Sequence, residues 1–466
     1  MKYLFHVIAL SLLVSISYGD ETRTFEKRFT PTSSQTVEIM GFHGADVKFM
    51  SWEKNEVFIS LIVEYDASDR DEEKKFLDGI KIVDSQTSTT LRITYKEPSS
   101  SRKEGFFGII KRIFSGSYRS KRISGEIYVP KTNALTSDLQ YGSITLEGMK
   151  NTIRLTGQGN TLKIRRCDAL SEIDNNYGST TIEQCGGTLN LSAQSSSKIL
   201  IENFAGGGRI DANYSNVTVR KFTKALSIQV QSGTIKAEDI EGDLTLDADY
   251  STVTAERIKG VVDVQDQSGK VTVKEVTGLI GDVSYSNVSV TTINAKNSRG
   301  VDLKGQSGSI TLQDIAGKVR IESPYTTIRL QKIKGDIDIS DQSGTITGDG
   351  IAGDWTSDTP YSSLTLQQME SKKITITNTS GGVNLQLAAL PLQMQIKTEY
   401  TSVSVTMPKG YSGEVNLEAT YGEVDCNLPI RIKNLGGGSY GIGKIGNGSG
   451  SITIETKSGN IKLNEK

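Results

Sequence analysis

Residues 231 to 290 read QSGTIKAEDIEGDLTLDADYSTVTAERIKGVVDVQDQSGKVTVKEVTGLIGDVSYSNVSV, and one turn-like signature returns four times within them. It is built alternately on Gln (QSG at 231 and 267) and on Tyr (YST at 250, YSN at 285). Between signatures, apolar residues alternate with polar ones over two short runs separated by a recurrent Gly, which is the periodicity of strands and not of helices. Outward from this stretch the signature continues, as YGS at 141 and 177, YSN at 214, QSG at 306 and 342, and YSS at 361. An apolar column repeats with it: Met149, Cys167, Cys185, Phe204, Phe222, Ile240, Ile258, Val276, Ile293, Ile315, Ile333, Ile351 and Met369. Its steps are 18 residues, apart from single steps of 19, 17 and 22.

A fixed short period of this kind specifies a repeat architecture. A unit with two short strands cannot bury its apolar face alone, whereas copies stacked ~4.8 Å apart make continuous parallel sheets around one narrow core. The expected fold is therefore all-β, a right-handed parallel β-solenoid with 18-residue rungs, the handedness following from the preference of parallel crossovers. The apolar column becomes one inward-facing ladder. Cys167 and Cys185 are neighbours in it and are read as buried free thiols, since side chains stacked in register point in parallel and not toward each other.

The Tyr/Gln alternation doubles the unit to 36 residues. Asp precedes Tyr by three at Asp138, Asp174, Asp211, Asp247, Asp282 and Asp358, while the Gln units carry Leu191, Ile228, Val264, Leu303 and Ile339 three places before Gln. Alternation holds like charges roughly 10 Å apart along the stack and weakens their repulsion. Tyr177, Tyr214, Tyr250, Tyr285, Tyr325 and Tyr361, with Tyr141 and Tyr400 at the ends, form a stripe at every second rung. The stripe has two readings: aromatic rings that stack on sugar faces, with Asp and Ser beside them for the hydroxyls, or residues that pack over the corner between rungs.

Composition narrows the function. The chain has 466 residues and opens with MKYLFHVIALSLLVSISYG, one Lys, a short apolar run and small residues at Ser17 and Gly19. This is a signal peptide over residues 1–19, too short to span a bilayer, so the expected location is exported: periplasmic, cell surface or extracellular. Lys and Arg total 53 against 54 Asp and Glu, which argues against nucleic acid as a partner. Of two histidines, His6 lies in the leader and His43 stands alone, so Ser-His-Asp catalysis would have to use His43 and a multi-His metal site is ruled out. The acids Asp247, Asp249, Asp263 and Asp266 are the nearest approach to a carboxylate cluster. They sit at positions the repeat dictates, and the chain is read as not an enzyme, without cofactor or metal; a polysaccharide-degrading β-helix enzyme is the lesser reading.

The stretch 20–135 is expected to be a β-rich capping region ahead of solenoid repeats over 136–466, although GFHGADVKF near residue 41 already imitates the later turn-plus-strand pattern. Two inserts interrupt it. Residues 66–80, DASDRDEEKKFLDGI, place Phe76, Leu77 and Ile80 on one face of a short helix covering the end of the stack. Residues 101–122, SRKEGFFGIIKRIFSGSYRSKR, hold seven bases against Glu104. Phe106, Phe107, Ile110, Ile113 and Phe114 share one helical face, with Lys111 and Arg112 on others. That is the pattern of a helix at an anionic membrane surface or on an acidic partner; the alternative is a hairpin packed back on the solenoid flank.

The segment IYVPKTNALTSDLQYGSITLEG, the iterated SGxIxV and YSxVxV units, and VTMPKGYSGEVNLEATYGEVDC resemble the β-strand-repeat "putative adhesin" family of bacterial envelope proteins, and the adhesin-head domains of Bacteroidetes-type surface proteins. The resemblance covers residues 125 to 466 and, more faintly, 36 to 65. It implies a solenoid with an adhesin-like binding role toward a glycan or an envelope protein. It supplies no catalytic residue, and the insert at 101–122 has no counterpart in it. A structural or regulatory envelope scaffold docking through that insert is the alternative function.

Overall fold

The computed structural model describes residues 21–67, 70–98, 120–196, 198–294 and 298–466. The leader at 1–19 and the apolar and basic residues Phe106, Phe107, Ile110, Lys111, Arg112, Ile113 and Phe114 lie outside these. Among the described residues are 39 strands, β1 (Glu21–Phe29) to β39 (Ile461–Glu465), and one helix, α1 (Arg70–Gly79).

The strands form a parallel β-solenoid with two faces. On the first face, β16 (Leu226–Gln229), β18 (Leu244–Asp247) and the far half of β19 (Thr252–Gln265) pair in parallel, Leu226 beside Leu244 and Leu244 beside Val262. On the second, β17 (Thr234–Ile240), the near half of β19 and β20 (Lys270–Asp282) align Ile235, Val253 and Val271. All six side chains are buried, because a period of two sends every second residue into the space between the faces. The predicted column stands in continuous register from Cys185 through Phe204, Phe222, Ile240, Ile258, Val276, Ile293, Ile315, Ile333 and Ile351 to Met369. Phe204 and Phe222 stack with centroids 5.0 Å apart. The backbone turns differently from the sequence reading, however. The left-handed residues beside this column are Asp239, Arg257 and Glu275 (φ 58, 56 and 55°), and not the recurrent Gly three places on. That Gly answers a different need: a Cβ on Gly260 would sit 2.6 Å from the Asp243 amide nitrogen of the rung before.

Both ends of the stack depart from sequence order. The rung formed by β2 (Thr36–Met40) and β3 (Ala45–Trp52) lies directly on β8 (Leu135–Gln140) and β9 (Ser143–Glu147), so the solenoid begins at residue 36. Its other edge carries β6 (Thr90–Lys96) and β7 (Ser120–Pro130), which come later in the chain but further out in space. Antiparallel strands then close the end, β5 (Lys81–Gln86) on β6, β4 (Val57–Asp66) on β7 and β1 on β4. Helix α1 packs against β4 and β1 with Leu77 buried and Phe76 stacked on Tyr65 at 4.0 Å. At the opposite end the last rung in sequence, β38 (Gly450–Thr456) and β39, is inserted between two earlier ones. It separates β32 (Gln393–Thr398) and β33 (Val403–Met407) from β34 (Gly413–Ala419) and β35 (Val424–Cys426). The hairpin of β36 (Arg431–Leu435) and β37 (Gly438–Ile445) finishes the stack on β34 in antiparallel fashion. The first and last rungs of the chain are thus hydrogen-bonded on both edges, and neither is the free parallel edge on which a further chain would pair.

Candidate binding face

The corner joining the first face to the second carries the tyrosines. Tyr141, Tyr177, Tyr214, Tyr250 and Tyr285 all adopt left-handed backbone (φ 55 to 61°), which turns the chain sharply enough to bring two strands back to back. The intervening rungs place Gly159 or Ser195, Ser232 and Ser268 in the same conformation. Ring size explains the alternation. A phenol ring is longer than the spacing between rungs, and at Gly159 a Cβ would lie 2.6 Å from Cδ1 of Tyr141. A tyrosine therefore needs a small neighbour.

All six predicted stripe residues, Tyr177, Tyr214, Tyr250, Tyr285, Tyr325 and Tyr361, fall on this edge with Tyr141 and Tyr400, each at least half exposed. A ninth, Tyr421, lies on the same edge outside the predicted stripe and is the most exposed of them at 71%. In space it follows Tyr400 with Ser458 of the inserted rung between them, since Val403 and Val424 both pair with Ile461. The KSG at 457 has the small residue and spacing of the QSG signatures, so an unbroken Tyr–small–Tyr rule along the stack would have revealed both Tyr421 and the insertion.

The residues just before the corner tie the rungs together. The Gln194 amide donates to Asn176 Oδ1 (2.7 Å), the Asn213 amide to Gln194 Oε1 (3.1 Å), and the Gln231 amide to Asn213 Oδ1 (2.8 Å). Gln158 Nε2 donates to the Tyr141 hydroxyl at 2.8 Å, and the Tyr285 hydroxyl donates to Gln306 Oε1. The amides hold the backbone, and the rings project beyond them.

The acid column requires a correction. Asp174 lies beside Ser192, Asp211 beside Gln229, Asp247 between Gln229 and Gln265, Asp282 between Gln265 and Lys304, and Asp358 beside Ser340. The apolar residues named from the sequence, Leu191, Ile228, Val264, Leu303 and Ile339, are one position out of register and point into the core. Counting back from Tyr and from Gln misaligned the rungs, because it is the residue after Gln that stacks on Tyr. Alternation of acid with polar residues survives, and Glu322 fills the place before Tyr325.

The acids line an open trough beside the tyrosine edge. One section, about 620 Å³, includes Asp247, Asp249, Asp266, Asp282 and Tyr285; a second, about 600 Å³, shares Asp282, Ser284 and Gln306 with it and runs on to Asp358. Asp263 is not part of its lining. Asp266 and Asp341 differ from the rest in being buried inside the corner. Each accepts a hydroxyl hydrogen bond from the next Tyr rung, Ser286 to Asp266 at 2.6 Å and Ser362 to Asp341 at 2.5 Å. Desolvation raises both pKa values from the ordinary 3.8, against the opposing effect of those hydroxyls.

The opposite corner is an ion-pair ladder. Arg220 bridges Glu202 and Glu238 (2.9 Å each) and Arg257 pairs with Asp239 at 2.6 Å, so charges there are compensated between rungs.

A family model described as Toastrack DUF4097 matches residues 171–464. No curated protein matches the chain. Among solved structures, one match is a Clostridium sporogenes protein described as a "putative cell adhesion protein", covering 96% of this chain and 100% of its own at 10% identity. The TM-score of that match is 0.17.

Proposed function

The chain belongs to the Toastrack DUF4097 family, and on that premise we propose that the protein is an exported, non-catalytic, adhesin-like module that binds a ligand at the bacterial cell envelope along its tyrosine edge. The observation that carries this reading is the row of nine tyrosines, 50 to 71% exposed, in one register along the stack. A corner needs only a small residue in the left-handed conformation, as the Ser and Gly rungs demonstrate. Repeated large rings are more than the turn requires, and an extended row of apolar faces edged by amides and acids suits a long polymer better than a small molecule.

Binding of the mature protein to a glycan array and to anionic liposomes tests this. Saturable binding to one polysaccharide class, lost in Tyr250→Ala/Tyr285→Ala, is the expected result. Binding to liposomes alone, abolished by Phe106→Ala/Phe107→Ala and untouched by the tyrosine changes, would overturn it in favour of a scaffold that docks on a membrane.

A further inference from the structure

The tyrosines do not stand alone: each of five successive ones has an acid three residues before it, in the pairs Asp211/Tyr214, Asp247/Tyr250, Asp282/Tyr285, Glu322/Tyr325 and Asp358/Tyr361. Because these pairs occupy every second rung, one ring and one carboxylate recur roughly every 10 Å along the axis. Among the described residues, none of Asp247, Asp249, Asp266 and Asp282 makes an ion pair, whereas acids on the opposite corner do. Among the described residues, Arg209 is the one base lining this section of the trough, and its Nη2 is engaged by Gln229 Oε1 at 2.6 Å; in the second section Lys304 stands between Asp282 and Glu322.

A second observation is independent of the acid count. Asp266 lines the trough at only 4% exposure; Oδ2 accepts from Ser286 and the Gly269 backbone lies against the carboxyl, while the buried Oδ1 meets no donor at full hydrogen-bond geometry. A buried carboxylate oxygen left without a donor is costly unless something supplies one. No three of the acids converge, and among the described residues no group of His, Cys, Asp or Glu could hold a metal ion. The donors that fit are therefore cations spread along a line.

We propose that the trough and the tyrosine edge together take an extended linear glycan of amine-bearing hexoses, its protonated amines on the acid column and its sugar faces on the rings. This rests on the tyrosine edge being a binding face and adds the charge of the ligand. An extended β-linked chain of hexoses repeats by disaccharides, and a disaccharide is close in length to two rungs, so ring and acid recur in step with the polymer. A cationic peptide would satisfy the acids but has no need of nine exposed rings at that spacing.

The test uses the full mature chain, titrated at mildly acidic pH with glucosamine oligomers, with fully N-acetylated oligomers of equal length, and with polylysine. The expected result is binding of the glucosamine oligomers, weakened by added salt and absent for the acetylated ones. Asp247→Asn/Asp282→Asn and Tyr250→Ala/Tyr285→Ala should each weaken it roughly tenfold or more, the loss expected for a charge-assisted hydrogen bond or a stacked ring. Both pairs are exposed, and melting curves matching the wild type verify the fold. Equal binding of acetylated oligomers, still dependent on the tyrosines and indifferent to the Asp→Asn changes, overturns the amine assignment while leaving the binding face intact. Polylysine binding that survives the Tyr→Ala changes overturns the glycan in favour of a basic peptide. Absence of any glycan binding overturns both.

Discussion

The ring of Tyr141 covers Gly159 of the next rung so closely that a Cβ there would lie 2.6 Å from Cδ1. Gly159 also has φ +70°, so two separate demands meet at one residue. Gly159→Ala should destabilise the stack through both, the backbone part alone amounting to about 1–2 kcal/mol. Tyr141→Ala in the same chain should relieve only the steric part. Chemical denaturation of the two single variants and the double variant measures this, and strict additivity would contradict contact between ring and glycine.

Ile258 sits in the middle of the continuous column, between Ile240 and Val276, and is 1% exposed. Ile258→Asp leaves a carboxylate with no partner in an apolar ladder, a loss of several kcal/mol. A greatly lowered melting temperature is expected; an unchanged one would show that the column does not face inward.

The inserted last rung should exchange its amides more slowly than the hairpin that ends the stack. Residues Ile461–Leu463 pair with strands on both sides, whereas β36 is exposed along its whole length and paired on one side only. Hydrogen exchange should find the chain's last strand protected like the middle of the stack and β36 exchanging rapidly. Fast exchange at Leu463 would mean that the chain ends in a frayed outer rung.

Acid should strengthen the corner. The folded-state pKa values of Asp266 and Asp341 are raised by desolvation, so the protonated form is the one that folding favours. Their contribution is fully present below the unfolded value near 3.8 and is lost as pH rises through the raised folded value. Asp266→Asn and Asp341→Asn should therefore raise the melting temperature at neutral pH and change it least at the acid end. Lower stability of both variants at neutral pH would reverse the assignment.

All three cysteines are free, Cys167 and Cys185 buried and Cys426 half-buried. The Cys167 amide donates to Cys185 Sγ at 3.4 Å, and each thiol donates to a carbonyl on its own rung, Cys167 to Arg165 and Cys185 to Glu183, at 3.3 Å. The neighbouring sulfur and burial together hold the Cys167 thiol well above the usual range, which suppresses the reactive thiolate. A thiol reagent should label Cys426 first and the other two only on unfolding, without prior reduction. Prompt labelling of Cys167 in the native protein would contradict its place in the core.

What could be read from the residues is what depends on local periodicity. Alternation of apolar side chains and an 18-residue repeat determine strand, rung and inward column, since a strand exposes alternate residues whatever its partner. The short helix was legible for the same reason, from the spacing of Phe76, Leu77 and Ile80. The spacing of tyrosines placed eight of nine on one edge.

Register and rung order depend instead on which strand lies beside which, and identical edges bond equally well to several partners. A one-residue offset between Tyr and Gln signatures moved Leu191 and its equivalents from beside Asp174 into the core. The seating of β2 and β3 on β8 and β9, and of β38 and β39 inside the stack, likewise follows from pairing over long sequence separations. So does the trough, where Asp249, Asp266 and Asp282 lie 17 and 16 residues apart in sequence but on neighbouring rungs in space. Only the assembled solenoid sets those side chains in a line, because the distance between rungs is a property of backbone hydrogen bonds between them and not of any one segment.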